Sequence, residues 1–154
     1  MPKIDISKIV PRVGSGYPPP LDQLTAGREK YALGNAAGLT QFGVNLTRLR
    51  PGAGSAHRHW HENEDELVFV IEGEIVLIED AGETVLRPGD AAGFKAGVPN
   101  GHHLVNKSAR DALYLEIGTR APVERGHYSD VDLVYEKDAH GVRYAHKSGE
   151  PYAA

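Results

Sequence analysis

From residue 39 to residue 118 the chain is a succession of short β-forming runs, each closed by glycine, proline, asparagine or aspartate. Residues 39–49 place Phe42, Val44, Leu46 and Arg48 on one face of a strand, and Pro51-Gly52-Ala53-Gly54 breaks it. The apolar run 67–71 is separated from 75–78 by a bend at Gly73, which reads as two consecutive strands. Turns at Asp80-Ala81-Gly82-Glu83 and Pro88-Gly89-Asp90 delimit strands at 84–87 and 91–95. Further strands follow at 102–105 and 112–117, after Gly97-Val98-Pro99-Asn100-Gly101 and after the turn at 106–111. No stretch between residues 35 and 118 sustains a helical period. Short strands at this spacing indicate an antiparallel sandwich or barrel, and 18 glycines with 10 prolines supply the turns.

The flanks differ from this core. Val10-Pro11-Arg12-Val13-Gly14-Ser15-Gly16-Tyr17-Pro18-Pro19-Pro20 is turn and polyproline-like, an extended arm that is either a free terminus or packs on the barrel or a partner subunit. Residues 131–135 and 142–145 flank Lys137-Asp138-Ala139-His140-Gly141 and form a hairpin, outside the barrel or across a dimer contact. The 154 residues divide into an arm and first strand region (1–38), a barrel core (39–118) and a C-terminal extension (119–154). Neither an internal repeat nor a second domain is visible.

Composition removes several functions. Lys and Arg number 17 against 21 Asp and Glu, a net charge of −4, so no basic field exists to hold nucleic acid or anionic lipid. Cysteine is absent, which removes disulfides, thiolate catalysis and Cys-ligated metal sites. No apolar run approaches the ~20 residues of a membrane span, and Met1-Pro2-Lys3-Ile4-Asp5 has no signal-peptide core. The expected address is the cytoplasm, with neither nucleic acid nor membrane as a partner.

Eight histidines direct attention to metal chemistry. His57-Arg58-His59-Trp60-His61 alternates imidazoles, and on a strand His59 and His61 share a face. Glu62-Asn63-Glu64-Asp65 can reverse the chain, letting Glu66 open the next strand toward the same space. Two neutral imidazoles and a carboxylate suit Zn, Fe, Ni, Mn or Cu. His102 or His103 could supply a fourth donor.

Residues 51–73 resemble the first motif of the cupin superfamily, G(X)5HXH(X)3–4E(X)6G. His59-Trp60-His61, then Glu66 after four residues and Gly73 after six more, reproduce its second half, while Ala53 stands in the slot of the opening glycine. The second motif, G(X)5PXG(X)2H(X)3N, is similar to residues 89–106. Lys95 stands where the proline belongs, and two extra residues follow Gly97. Counting back from Asn106 restores the family spacing at His102, which shares parity with Leu104 and Asn106, and His103 is the fallback. The resemblance covers about residues 40 to 118. It implies an all-β, antiparallel jelly-roll barrel with one divalent transition metal ion (Fe, Mn, Ni or Zn) near one mouth, held by His59, His61, Glu66 and His102.

That site hosts dioxygenases, decarboxylases and isomerases in the family, and other members only bind ligands. The expected function is a metal-binding cupin acting on a small molecule as an enzyme of one of those types; the alternative is a non-catalytic ligand-binding cupin. No catalytic or substrate-binding residue is assigned. Val68, Val70 and Leu104 point inward and Trp60 away from the site; Arg48, Tyr114 and Glu116 are candidates for the interior. His57 is expected at the rim, Asn106 as a turn cap, Lys95 outside, and His127, His140 and His146 on the surface. A homodimer is expected, since cupins commonly dimerise.

Overall fold

The computed structural model describes residues 2–153. Its regular structure is mainly thirteen strands: β1 (Arg12–Val13), β2 (Arg28–Ala32), β3 (Phe42–Leu49), β4 (His59–His61), β5 (Glu66–Glu72), β6 (Ile75–Glu79), β7 (Gly82–Leu86), β8 (Ala91–Phe94), β9 (His103–Val105), β10 (Ala112–Thr119), β11 (Glu124–Tyr128), β12 (Val134–Asp138) and β13 (Gly141–Ala145). Helical structure is confined to one turn of α-helix at Leu33–Ala36 and two 3-10 segments, Ile6–Lys8 and Leu21–Thr25. No helix among the described residues is long and apolar enough to cross a membrane.

One layer is a six-stranded sheet in the order β1-β2-β3-β10-β5-β8, antiparallel throughout. The other joins a four-stranded sheet, β13-β12-β11-β4, to a three-stranded one, β7-β6-β9, through bridges at His59–His102 and Gly54–Val105. The layers bury a common core: Leu49, Val68, Val70, Ala112 and Tyr114 from the first meet Ile75, Leu77, Leu86 and Leu104 from the second. This is the antiparallel jelly roll that the sequence motifs imply. Gly73 turns β5 into β6 at φ 77°, and a Cβ there would lie 2.7 Å from the Asp111 carbonyl, so the turn accepts only glycine.

The strand phase corrects one expectation. Phe42, Val44, Leu46 and Arg48 do share a face, but it is the outer one: Thr47 and Leu49 are buried, and Arg48 reaches Glu29 and Asp111 instead of the interior. Tyr114 and Glu116 do face inward. The N-terminal arm lies on its own chain, where Tyr17 packs with Ala56, Tyr128 and Leu133. The hairpin β12–β13 extends the sheet that carries β4, and Tyr135 and Tyr144 line the cavity.

Candidate metal centre and cavity

Alternation on β4 aims His59 and His61 into the space between the layers, and the start of β5 aims Glu66 at them. Their Nε2 atoms stand 3.8 Å and 3.4 Å from the Glu66 carboxylate, and that of His102 stands 2.8 Å away. Ligand atoms of His59, His61 and Glu66 all lie within 4.8 Å of one another. His102 comes into register because its backbone pairs with His59 in both directions, N to O at 3.2 Å and 3.0 Å. Preceding it, Gly101 sits so close to Ser129 that a Cβ would fall 1.9 Å from Oγ. Phe94 stacks on the His102 ring with centroids 3.6 Å apart.

The ring tautomer of His59 suits a cation. Its Nδ1–H donates to the His57 carbonyl at 2.8 Å, leaving the Nε2 lone pair on the cluster side, while His102 Nε2–H donates to the Glu66 carboxylate at 2.8 Å. Burial lowers the His59 pKa to about 4, so that imidazole is neutral. Burial also works against charge on His61 and Glu66, but it is outweighed. Glu66, Glu124 and Glu64 raise His61, and hydrogen bonds from His102 and His61 hold Glu66 well below the carboxylate range. A neutral imidazole and an ionised carboxylate facing one point form a donor set for a divalent transition ion. Behind His61, whose Nδ1 is buried without a partner, lie Glu64 and Glu124. Glu124 is held by the backbone N–H groups of Glu62, Asn63 and Arg125, and Glu64 by Lys137 at 2.5 Å.

The other candidates from the sequence lie around this cluster. His103 turns away, donating from Nδ1 to the Ala56 carbonyl at 2.7 Å, so His102 is the imidazole that joins the cluster. His57 binds the Leu21 carbonyl at 2.8 Å. Trp60 stacks on His127 outside the cluster, 4.3 Å between centroids. Asn106 is buried and caps its turn through Ser108 N–H, while Lys95 is exposed.

A structure of a sugar phosphate isomerase from a cupin superfamily, from Silicibacter pomeroyi DSS-3, superposes on this chain with a TM-score of 0.95. The two are 48% identical, and the match covers 99% of this chain and 98% of that one. The chain belongs to the cupin superfamily. The family model described as Cupin domain matches residues 45–118 of this cupin, which span β3 to β10 and all four clustered side chains. The polyketide cyclase RemF from Streptomyces resistomycificus shares the fold at 18% identity and a TM-score of 0.64, covering 86% of this chain and 89% of that one. A predicted oxalate decarboxylase from Thermotoga maritima does so at 20% and 0.59, covering 77% and 99%. No curated protein matches the sequence significantly.

The cluster forms one wall of a cavity of about 250 Å³. Sequence reasoning about this cupin missed most of the opposite wall. Register places Lys30, Thr47, Tyr114 and Val70 in one inward row, and Ala32, Asn45, Glu116 and Val68 in the next. Lys30 Nζ donates to Glu116 across these rows at 3.0 Å. Five of the seven tyrosines line the space: Tyr17, Tyr114, Tyr128, Tyr135 and Tyr144. The available signal was parity, since Arg28 and Lys30 alternate with Glu29 and Tyr31 as strictly as any apolar strand.

Proposed function

We propose that this cupin is a metal-dependent isomerase of small phosphorylated sugars, working in the cytoplasm, with His59, His61, Glu66 and His102 as ligands of one divalent ion (Fe, Mn, Ni or Zn). The observation that carries the reading is the convergence of three Nε2 atoms on the Glu66 carboxylate, in the same cavity as an ion-paired carboxylate, Glu116. Similarity along the whole length to a sugar phosphate isomerase supports the substrate class.

A divalent ion held there supplies Lewis acidity toward a sugar carbonyl and its neighbouring hydroxyl. The chain supplies the proton transfers. Glu116 takes the proton from the carbon beside the carbonyl, and the released electron pair becomes the carbon–carbon double bond of an enediol. The same carboxyl returns the proton to the former carbonyl carbon, while a hydroxyl proton passes from one oxygen to the other. Nothing is oxidised or reduced overall. Lys30 fixes the carboxylate and balances its charge, and the apolar side chains of Val68 and Leu104 keep water from the enediol.

The test is elemental analysis of untagged protein, followed by assay on phosphorylated tetroses, pentoses and hexoses in heavy water. One equivalent of metal, aldose–ketose conversion, and solvent deuterium at the exchanged carbon are expected. Glu116→Gln should retain the metal and lose both conversion and exchange by about 100-fold or more. Metal without exchange on any of these sugars would leave a non-catalytic ligand-binding cupin. A homodimer completes the reading, formed through the outer face of the six-stranded sheet, where Phe42, Leu67 and Phe69 stand exposed beside Ile117.

A further inference from the structure

One cation in the cavity wall has no counter-ion. Arg28 is 6% exposed; its Nη1 donates to the Ser55 carbonyl at 2.5 Å and its Nη2 to the Gly14 carbonyl at 2.7 Å. Its Nε–H has no partner, and among the described residues no carboxylate oxygen lies within the 4.0 Å of an ion pair. Lys30, two residues along the same face of β2, is neutralised by Glu116. Two carbonyls satisfy guanidinium hydrogens without cancelling the charge, and an uncompensated buried charge is costly.

Two more orphaned polar atoms adjoin it. Thr47 Oγ1 and Tyr114 OH are buried without hydrogen-bond partners on the paired strands β3 and β10, and Thr47 pairs in register with Lys30. Burial raises the tyrosine hydroxyls of Tyr17, Tyr114 and Tyr144, and the Arg28 charge acts on all three in the opposite direction. Arg28 and these three tyrosines line the same cavity. Arg28 is also close to the metal centre. Ser55, which it touches, is bonded both ways to Leu104, and His102 lies two residues further along, about 7 Å at strand rise.

We infer that Arg28, Thr47 and Tyr114 form the subsite for the oxyanion end of the substrate, a phosphate monoester, whose opposite end meets the His59, His61, Glu66 and His102 cluster. The inference deepens the isomerase reading and rests on it for the second half of that statement. A phosphate offers three acceptor oxygens to the free Nε–H and the two hydroxyls, and its charge is the counter-ion Arg28 lacks. Both ends of one small molecule are thereby fixed, which is what presenting a single carbon to Glu116 requires.

Calorimetric titration of the metal-loaded chain with ribose 5-phosphate, ribose and inorganic phosphate tests it. Ribose 5-phosphate should bind about 10-fold or more tighter than ribose, and Arg28→Met should weaken it about 10- to 100-fold while leaving ribose unchanged. Arg28→Lys should fall between. Tyr114→Phe leaves both carbonyl bonds of Arg28 in place, so it keeps the test open if Arg28→Met does not fold; a loss of about 3- to 10-fold is expected. Inorganic phosphate should still bind the His59→Ala, His61→Ala double variant, which separates the subsite from anion binding to metal. Equal affinity for ribose and ribose 5-phosphate, or a preference that survives in folded Arg28 and Tyr114 variants, would overturn the subsite whatever the isomerase assay gives. An Arg28-dependent phosphate preference in a chain without aldose–ketose turnover would keep the subsite and remove the isomerase reading.

Discussion

On β3 the outward residues are Phe42, Val44, Leu46 and Arg48, whereas the inward ones include Asn45, Thr47 and Leu49. The contrast continues across the sheet. Leu46, Leu115 and Phe69 form an outward row, and the inward rows carry Lys30, Thr47 and Tyr114, then Asn45, Glu116 and Val68. A sheet with one solvated face normally turns its apolar side in. Here apolar residues stand on both faces: Leu49, Val68, Val70 and Ala112 build the core, while Phe42 at 43%, Leu67 at 43% and Phe69 at 40% exposure face out, and the inner face carries polar side chains as well. The difference is that the inner face mixes core side chains with polar ones lining the cavity, whereas the outer face leaves large apolar side chains in contact with water.

The largest expected effect lies on the inner side. Replacing His59 and His61 together by Ala should abolish stoichiometric metal binding and leave a folded jelly roll, since neither side chain belongs to the core shared by the two layers. Atomic analysis with far-ultraviolet circular dichroism checks both halves, and full metal retention would remove the assignment. Glu66→Gln, which keeps shape and loses the one anionic donor, should weaken binding without abolishing it.

Stability should divide along the same line. Leu49, fully buried on the inner face, should cost about 2–5 kcal/mol when cut to Ala, as core truncations do. Leu67→Ala on the outer face should cost about 1 kcal/mol or less in the monomer, because much of that side chain already meets solvent. Urea unfolding of the two variants at low concentration measures the contrast, and equal losses would mean that the outer face is covered within the monomer.

Acid should act on the inner face too. Burial holds His59 at about 4, against about 6.5 in the unfolded chain, so the unfolded state binds a proton that the folded state refuses. Stability of the metal-free protein should therefore fall as pH drops from about 6.5 toward 4. Glu66, lowered well below 4.5, adds loss of the same sign at still lower pH. His61 opposes them, because its raised pKa contributes stability that is present below 6.5 and fades above it. The net loss should be on the order of 2 kcal/mol at 1.36 kcal/mol per unit. A flat urea midpoint between pH 7 and 4.5 would contradict a neutral, buried His59.

These contrasts explain what was legible in the sequence. Turn residues and run lengths disclosed an antiparallel sandwich or barrel, because Gly and Pro restrict backbone locally, and the resemblance of residues 51–73 and 89–106 to the cupin motifs narrowed it to the jelly roll. The cluster was legible because His59, His61 and Glu66 lie within eight consecutive residues, and strand alternation alone aims the two imidazoles together. That His102 and not His103 faces the cluster follows from the His59–His102 bridge, a pairing between distant segments. Arg48, a candidate for the interior, lies outside because Thr47 and Leu49 take the inward positions of β3. Arg28, Lys30 and the tyrosines of β11 to β13 were not legible, since sheets formed over long sequence separations bring them to one space.

The smallest expected change in monomer stability tests the outer face most directly. Leu67→Ser with Phe69→Ser exchanges two side chains already some two-fifths exposed, so the isolated fold should lose about 1 kcal/mol or so. Both lie on β5, the strand that Glu66 opens, but they point away from the cluster, so metal binding should be unchanged. They belong to apolar rows across β3, β10 and β5, in which Leu115 pairs with Leu46 and Phe69, and Ile117 with Val44 and Leu67; exposed apolar surface of this kind suits a protein contact. If that partner is a second copy, sedimentation of the unaltered chain should give a dimer and the double variant a monomer that still binds metal. An unaltered chain that sediments as a monomer would reject the homodimer and leave the apolar rows to some other partner, without bearing on the histidine–glutamate cluster inside.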